Sequence, residues 1–168
     1  IIDLQQTLRI FREVLAKVTE IASTGTRFLF VGTKKQAADA IVREATRCGM
    51  FYVSTRWLGG MLTNYSTISK SIDKLKRMES LEADGSVNRM GNKEAKRFRK
   101  ELLRLTQMLS GIRDMKRLPD ILVVIDMKRE LTSVLEAQKL RIPVIGILDT
   151  NCDPDWATYG IPGNDDAI

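Results

Sequence analysis

Residues 118–150 read LPDILVVIDMKRELTSVLEAQKLRIPVIGILDT, and this stretch decides the fold class. Pro119 precedes Ile121-Leu122-Val123-Val124-Ile125, an unbroken apolar run that ends at Asp126. Pro143 opens a second run, Val144-Ile145-Gly146-Ile147-Leu148, which ends at Asp149. Unbroken apolar runs of this kind are strands buried on both faces; strands with one wet face alternate instead. Residues 129–140, between the two runs, carry a helical pattern. Strand, helix and strand in this order make a βαβ unit, and such units pair their strands in parallel.

The same grammar recurs on either side. Leu4, Leu8, Phe11, Val14, Leu15, Val18 and Ile21 fall at helical spacing across residues 4–22, and Gly25 follows as a stop. Phe28-Leu29-Phe30-Val31, ending at Gly32, predicts another doubly buried strand. A helix is expected over 34–48, through Ala37, Ala38, Ile41, Val42 and Ala45, and a strand at Phe51-Tyr52-Val53. A last short strand is expected near Tyr159-Gly160-Ile161. Together these predict a parallel α/β sheet with helices on both faces.

Residues 66–117 break the alternation. Ile68, Ile72, Leu75, Met78 and Leu81 recur at steps of three and four, then Ala83-Asp84-Gly85-Ser86 interrupts. Ala95, Phe98, Leu102, Leu105, Leu109 and Ile112 follow, spaced as the seam of a coiled coil. The expectation is an antiparallel helical hairpin projecting from a body formed by 1–65 and 118–168. With one seam to bury, the hairpin must lean on something else. This insert holds fourteen basic and seven acidic residues, an excess of +7, whereas the whole chain carries +6. The net charge therefore lives in the insert.

A pI near 9.5 favours a polyanionic partner. Histidine is absent, which excludes a histidine base, a Ser-His-Asp triad and a Cys/His zinc site within this chain. Cys48 and Cys152 stand alone, as suits a reducing compartment. No apolar run approaches the eighteen or so residues of a spanning helix, so no membrane partner is expected. Ile1-Ile2-Asp3 and Asp165-Asp166-Ala167-Ile168 do not resemble natural termini, and the sequence reads as part of a longer protein.

Four features compete for chemistry. The KEAKRFRKELLR stretch, 93–104, displays cations on several sides of one helix; it is read as phosphate-neutralising, against a merely solvated flank. With its neighbours it supplies the candidate RNA-binding residues Lys70, Lys74, Lys96, Arg97, Arg99, Lys100, Arg104, Arg113, Lys116 and Arg117. Gly32-Thr33-Lys34-Lys35 occupies the phosphate-cradling strand-to-helix position but lacks the second glycine of a nucleotide motif. Lys34 and Lys35 are therefore read as RNA contacts, against a plain solvent-facing helix start. In RWLGGMLTN, 56–64, Arg56 can meet a phosphate, and Trp57 either stacks on a base or wedges the hairpin against the sheet. Asn64 joins the candidates, and Asn64 or Ser66 would cap the first hairpin helix. Asp149, Asp153, Asp155, Asp165 and Asp166 gather after the last strong strand; with no nucleophile or histidine beside them, no metal, cofactor or catalysis is assigned.

In this order, VGTKKQA, RWLGGMLTN, LPDILVVID, IPVIGILDTNCDPD and IPGNDDAI resemble the small-subunit ribosomal protein S-two family over essentially the whole chain. The form DTNCDPD, with Cys152, is more like cyanobacterial or plastid members. The resemblance implies a flavodoxin-like sheet with an inserted coiled coil and no enzymatic activity. It also implies a ribosomal seat between head and body, in bacterial cytoplasm or plastid stroma. The partners it implies are small-subunit rRNA and neighbouring proteins, including the mRNA-binding protein S-one, with no small-molecule substrate. The family's N-terminal segment and C-terminal helix have no counterpart in these residues. Two rivals stand beside this reading: a phosphate-using enzyme built on Gly32–Lys35, and a helix-binding interaction module.

Overall fold

The computed structural model describes residues 2–166. Its elements follow in chain order: α1 (Leu4–Ala22), β1 (Phe28–Val31), α2 (Lys35–Arg47), β2 (Phe51–Val53) and α3 (Tyr65–Ala83). Then come α4 (Asn92–Leu109), β3 (Ile121–Val124), α5 (Leu131–Lys139), β4 (Val144–Leu148) and β5 (Tyr159–Pro162). Short 3-10 turns lie at Ser86–Arg89, Ser110–Ile112 and Pro154–Trp156. Helix α5 starts two residues later than the spacing predicted, after a turn over 127–130 that follows Asp126 at φ 61°.

All strand pairs are parallel, and the order is β2-β1-β3-β4-β5, the flavodoxin-like arrangement. Register follows the pleat. Phe28 pairs with Ile121 and Val31 with Val124, so neighbouring side chains share a face along each strand. Leu29, Val31, Leu122, Val124 and Val144 point into the larger core, with Val134 and Ala137 of α5. Phe28, Ile121 and Ile145 point the other way, under Val14 of α1.

The insert does not stand apart from this core. Ile68, Ile72, Leu75 and Met78 of α3 and Leu105 and Leu109 of α4 are buried in the same cluster as Leu29 and Leu122. The two helices pack on each other, and the Ser110–Ile112 turn after α4 joins them to β2 of the sheet. Leu81 alone leaves the predicted seam, at 38% exposure near the far end of α3. Each fully buried Leu or Ile here contributes roughly 1.5–3 kcal/mol relative to exposure, so the seam anchors the insert firmly.

The chain returns to the body through Gly111 and Ile112, which press on β2. A Cβ at Gly111 would collide with the carbonyl oxygen and ring of Tyr52. Backbone cannot step aside as a flexible side chain can. Gly111→Ala is therefore expected to lower stability by about 1–3 kcal/mol, read as a fall in the urea midpoint at unchanged m-value.

Candidate nucleic-acid interface

The root of the insert is held by one buried carboxylate. Glu136 of α5 is 8% exposed and faces the 56–64 loop. Its Oε1 accepts from the Trp57 indole Nε1–H at 3.0 Å and from Gly60 N–H at 2.7 Å. Its Oε2 accepts from Leu62 N–H, Thr63 N–H and the Thr63 hydroxyl, each at 3.0 Å. A charge this deep is tolerated only when its lone pairs are filled. Burial pushes the carboxyl upward, but donation from Thr63, Trp57, Gly60 and Leu62 outweighs it and leaves the pKa below 4.5. Gly60, at φ 84°, makes the turn that aims these N–H groups at one point.

Trp57 consequently fills the wedge position, 9% exposed, with its N–H used inside the chain. Arg56 beside it is exposed. Asn64 precedes α3, and its Oδ1 accepts from the Ser66 and Thr67 hydroxyls at 3.3 and 3.0 Å rather than from a backbone N–H.

A second buried carboxylate organises the carboxyl ends of β1 and β3, where the strand order reverses. Glu130 accepts from Thr33 N–H at 2.9 Å and from the Thr33 hydroxyl. Next to it the Lys34 ammonium lies 2.9 Å from Asp165 and 3.9 Å from Asp126, and it also pairs with Asp166. Hydrogen bonds to Asp166 and Asp165 hold Lys34 well above the usual lysine range. The position that cradles phosphate in nucleotide-binding sheets is thus filled by the chain's own acids. Among the described residues no three His, Cys, Asp or Glu side chains are grouped to hold a metal ion. No helix among them is long and apolar enough to cross a membrane. Lys35, one residue on, is exposed at the first position of α2.

The remaining candidates lie on or beside α3 and α4, and all are exposed: Lys70, Lys74, Lys96, Arg97, Arg99, Lys100, Arg104, Arg113, Lys116 and Arg117. They divide by partner. Arg99 meets Glu82 at 2.9 Å and Asn88 at 2.9 Å, and Arg113 meets Glu79 at 2.7 Å. Arg104 makes two 2.9 Å bonds to Glu101, which also takes Lys74 at 3.0 Å. Donation from Arg104, then Lys74, lowers the Glu101 carboxyl to about 2. Lys70, Lys96, Arg97, Lys100, Lys116 and Arg117 have no carboxylate in ion-pairing reach among the described residues. Ala95, Leu105 and Leu109 turn the apolar side of α4 inward, which leaves its cations facing water.

Glu136 and Glu130 are absent from the sequence-based candidates. The available signal was position: Glu136 falls on the same inward face of α5 as Ser133, Val134 and Ala137. Glu136→Gln is expected to destabilise the chain by about 1–3 kcal/mol, followed by the fluorescence of Trp57 and Trp156 in urea. Because the folded-state pKa is depressed, the carboxylate's contribution is complete above pH 4.5 and is lost as pH falls below it. The variant should therefore lose stability less steeply than the wild type on acidification through that range.

Three comparisons with curated relatives are consistent. The small ribosomal subunit protein uS2 of Gloeobacter violaceus is 53% identical over 168 residues, 100% of this chain and 61% of that protein. The protein of the same name from Geotalea uraniireducens is 55% identical, again across 100% of this chain and 66% of its own length. That of Synechocystis is 52% identical, with 62% of its length covered. The chain thus spans less than two thirds of the length of these relatives. The family model described as Ribosomal protein S2 matches residues 1–168. This chain belongs to the ribosomal protein S2 family.

Proposed function

We propose that the chain is a structural, non-catalytic constituent of the small ribosomal subunit that binds rRNA through the outer faces of α3 and α4. Residues 66–117 act in this reading as the RNA-facing insert on a body formed by 1–65 and 118–168. One observation carries it beyond family membership: Lys96, Arg97 and Lys100 sit together on α4, exposed and without an ion pair to any carboxylate of the described residues. Phosphate contacts of this kind position a protein on folded RNA without reading its sequence. Arg56, Lys70, Lys116 and Arg117, all exposed, are further phosphate contacts in this reading. Neighbouring small-subunit proteins, the mRNA-binding protein S-one among them, complete the set of partners.

The phosphate-using enzyme has less support. Its best site, at Thr33 and Lys34, is closed by Glu130, Asp165 and Asp166. Micromolar binding of ATP or GTP by calorimetry would revive it.

Under the ribosomal reading, binding to a small-subunit rRNA transcript falls steeply with salt. Four phosphate contacts give a slope of log K against log salt near about −3. Replacing Lys96, Arg97, Arg99 and Lys100 by Glu is expected to abolish both this binding and incorporation into small subunits, measured by co-sedimentation. Undiminished incorporation of that variant would sink the role given to α4.

A further inference from the structure

Glu101 is out of place on a surface built to meet phosphates. It lines a groove together with Lys74, Arg97, Lys100, Leu103, Arg104 and Gln107. A carboxylate there repels a polyanion, yet the geometry gives it a different use. Its two oxygens hold Arg104 by paired 2.9 Å bonds within α4 and Lys74 at 3.0 Å from α3, 27 residues away in sequence. Building on the RNA-binding reading above, we propose that Glu101 is a positioning residue for RNA. It fixes Lys74 and Arg104 as one rigid cationic edge of a groove that seats a phosphodiester strand.

Three physical points support this. Lysine and arginine side chains lose considerable rotamer freedom when a ligand orders them, and a side chain already held loses less. Arg104 and Lys74 each keep N–H donors that Glu101 does not use, so both can still donate to a phosphate. Arg97, Lys100 and Arg104 recur at steps of three and four along α4, hence on one helix face, with neighbours about 5–6 Å apart. That makes a continuous rail of charge rather than scattered points. Arg97 and Lys100 supply free cations on the rail, while Glu101 orders its end and ties it to α3.

Removing the charge of Glu94 and removing that of Glu101 should act on RNA binding with opposite signs. Glu94 lies on the same helix, exposed and without an ion pair among the described residues. Glu94→Gln removes one negative charge and should tighten binding of the full chain to a small-subunit rRNA transcript about twofold. Glu101→Gln removes the same charge but should weaken binding roughly threefold or more and make the salt slope shallower by about one phosphate contact. Lys74→Met should cost more affinity than Lys70→Met, whose lysine is unpaired. Circular dichroism spectra matching the wild type's establish that each variant is folded. Tightening by Glu101→Gln, or equal losses for the two lysine variants, overturns the proposal. Salt-independent binding by the wild-type chain instead overturns the RNA reading itself, without reference to Glu101.

Discussion

The carboxylate of Glu136 is the constraint on which the arrangement of the insert depends. It sits on α5, packed against the sheet, and gathers five donors from the loop that launches α3. Removing a partner from such a centre leaves a buried charge or stranded N–H groups, and either is far more costly than the loss of a surface pair. The start of α3 therefore has one position relative to the body. At the other end, Gly111 presses its backbone on Tyr52, so α4 also returns to a fixed point. Between these two clamps the shared apolar cluster does the rest.

The two kinds of charge in the chain serve different ends. Glu136, Glu130 and Asp165 are buried and answer donors or cations of the same chain. The cations of α3 and α4 are exposed, and several have no internal answer. Helical periodicity makes both arrangements compatible. A repeat of three and four puts Leu105 and Leu109 inward and leaves Arg97, Lys100 and Arg104 outward on the same α4. Surface pairs such as Arg99–Glu82 add little stability of their own, because water and salt screen them.

The strands were legible because a doubly buried strand has to be apolar at every position. Ile121–Val124 and Val144–Leu148 appear within the bounds that their composition indicated. The outward cations were legible for a similar reason, since charge accumulates only where water or a polyanion will accept it. The roles of Trp57 and Lys34 were not. Trp57 was compatible with a base stack or a wedge, and its partner Glu136 lies 79 residues further on. Lys34 stood at a phosphate-binding position, and the acids that occupy it come 131 and 132 residues later. The body and the insert read as separate units by composition, yet their apolar faces merge in one core.

By itself the sequence determined what local chemistry can determine. That includes the order of strands and helices, the absence of histidine chemistry, the confinement of net charge to 66–117 and the family motifs. Periodicity, composition and short-range spacing carry that information because each depends only on neighbours a few residues away. Tertiary structure alone decided which charges are internal and which are free. A carboxylate's meaning depends on what folding brings within about 3 Å of it. No window of sequence holds Glu136 together with Trp57, or Lys34 with Asp165. On that pairing rests the difference between a phosphate-binding lysine and a closed ion cluster, and between a stacking tryptophan and a wedge.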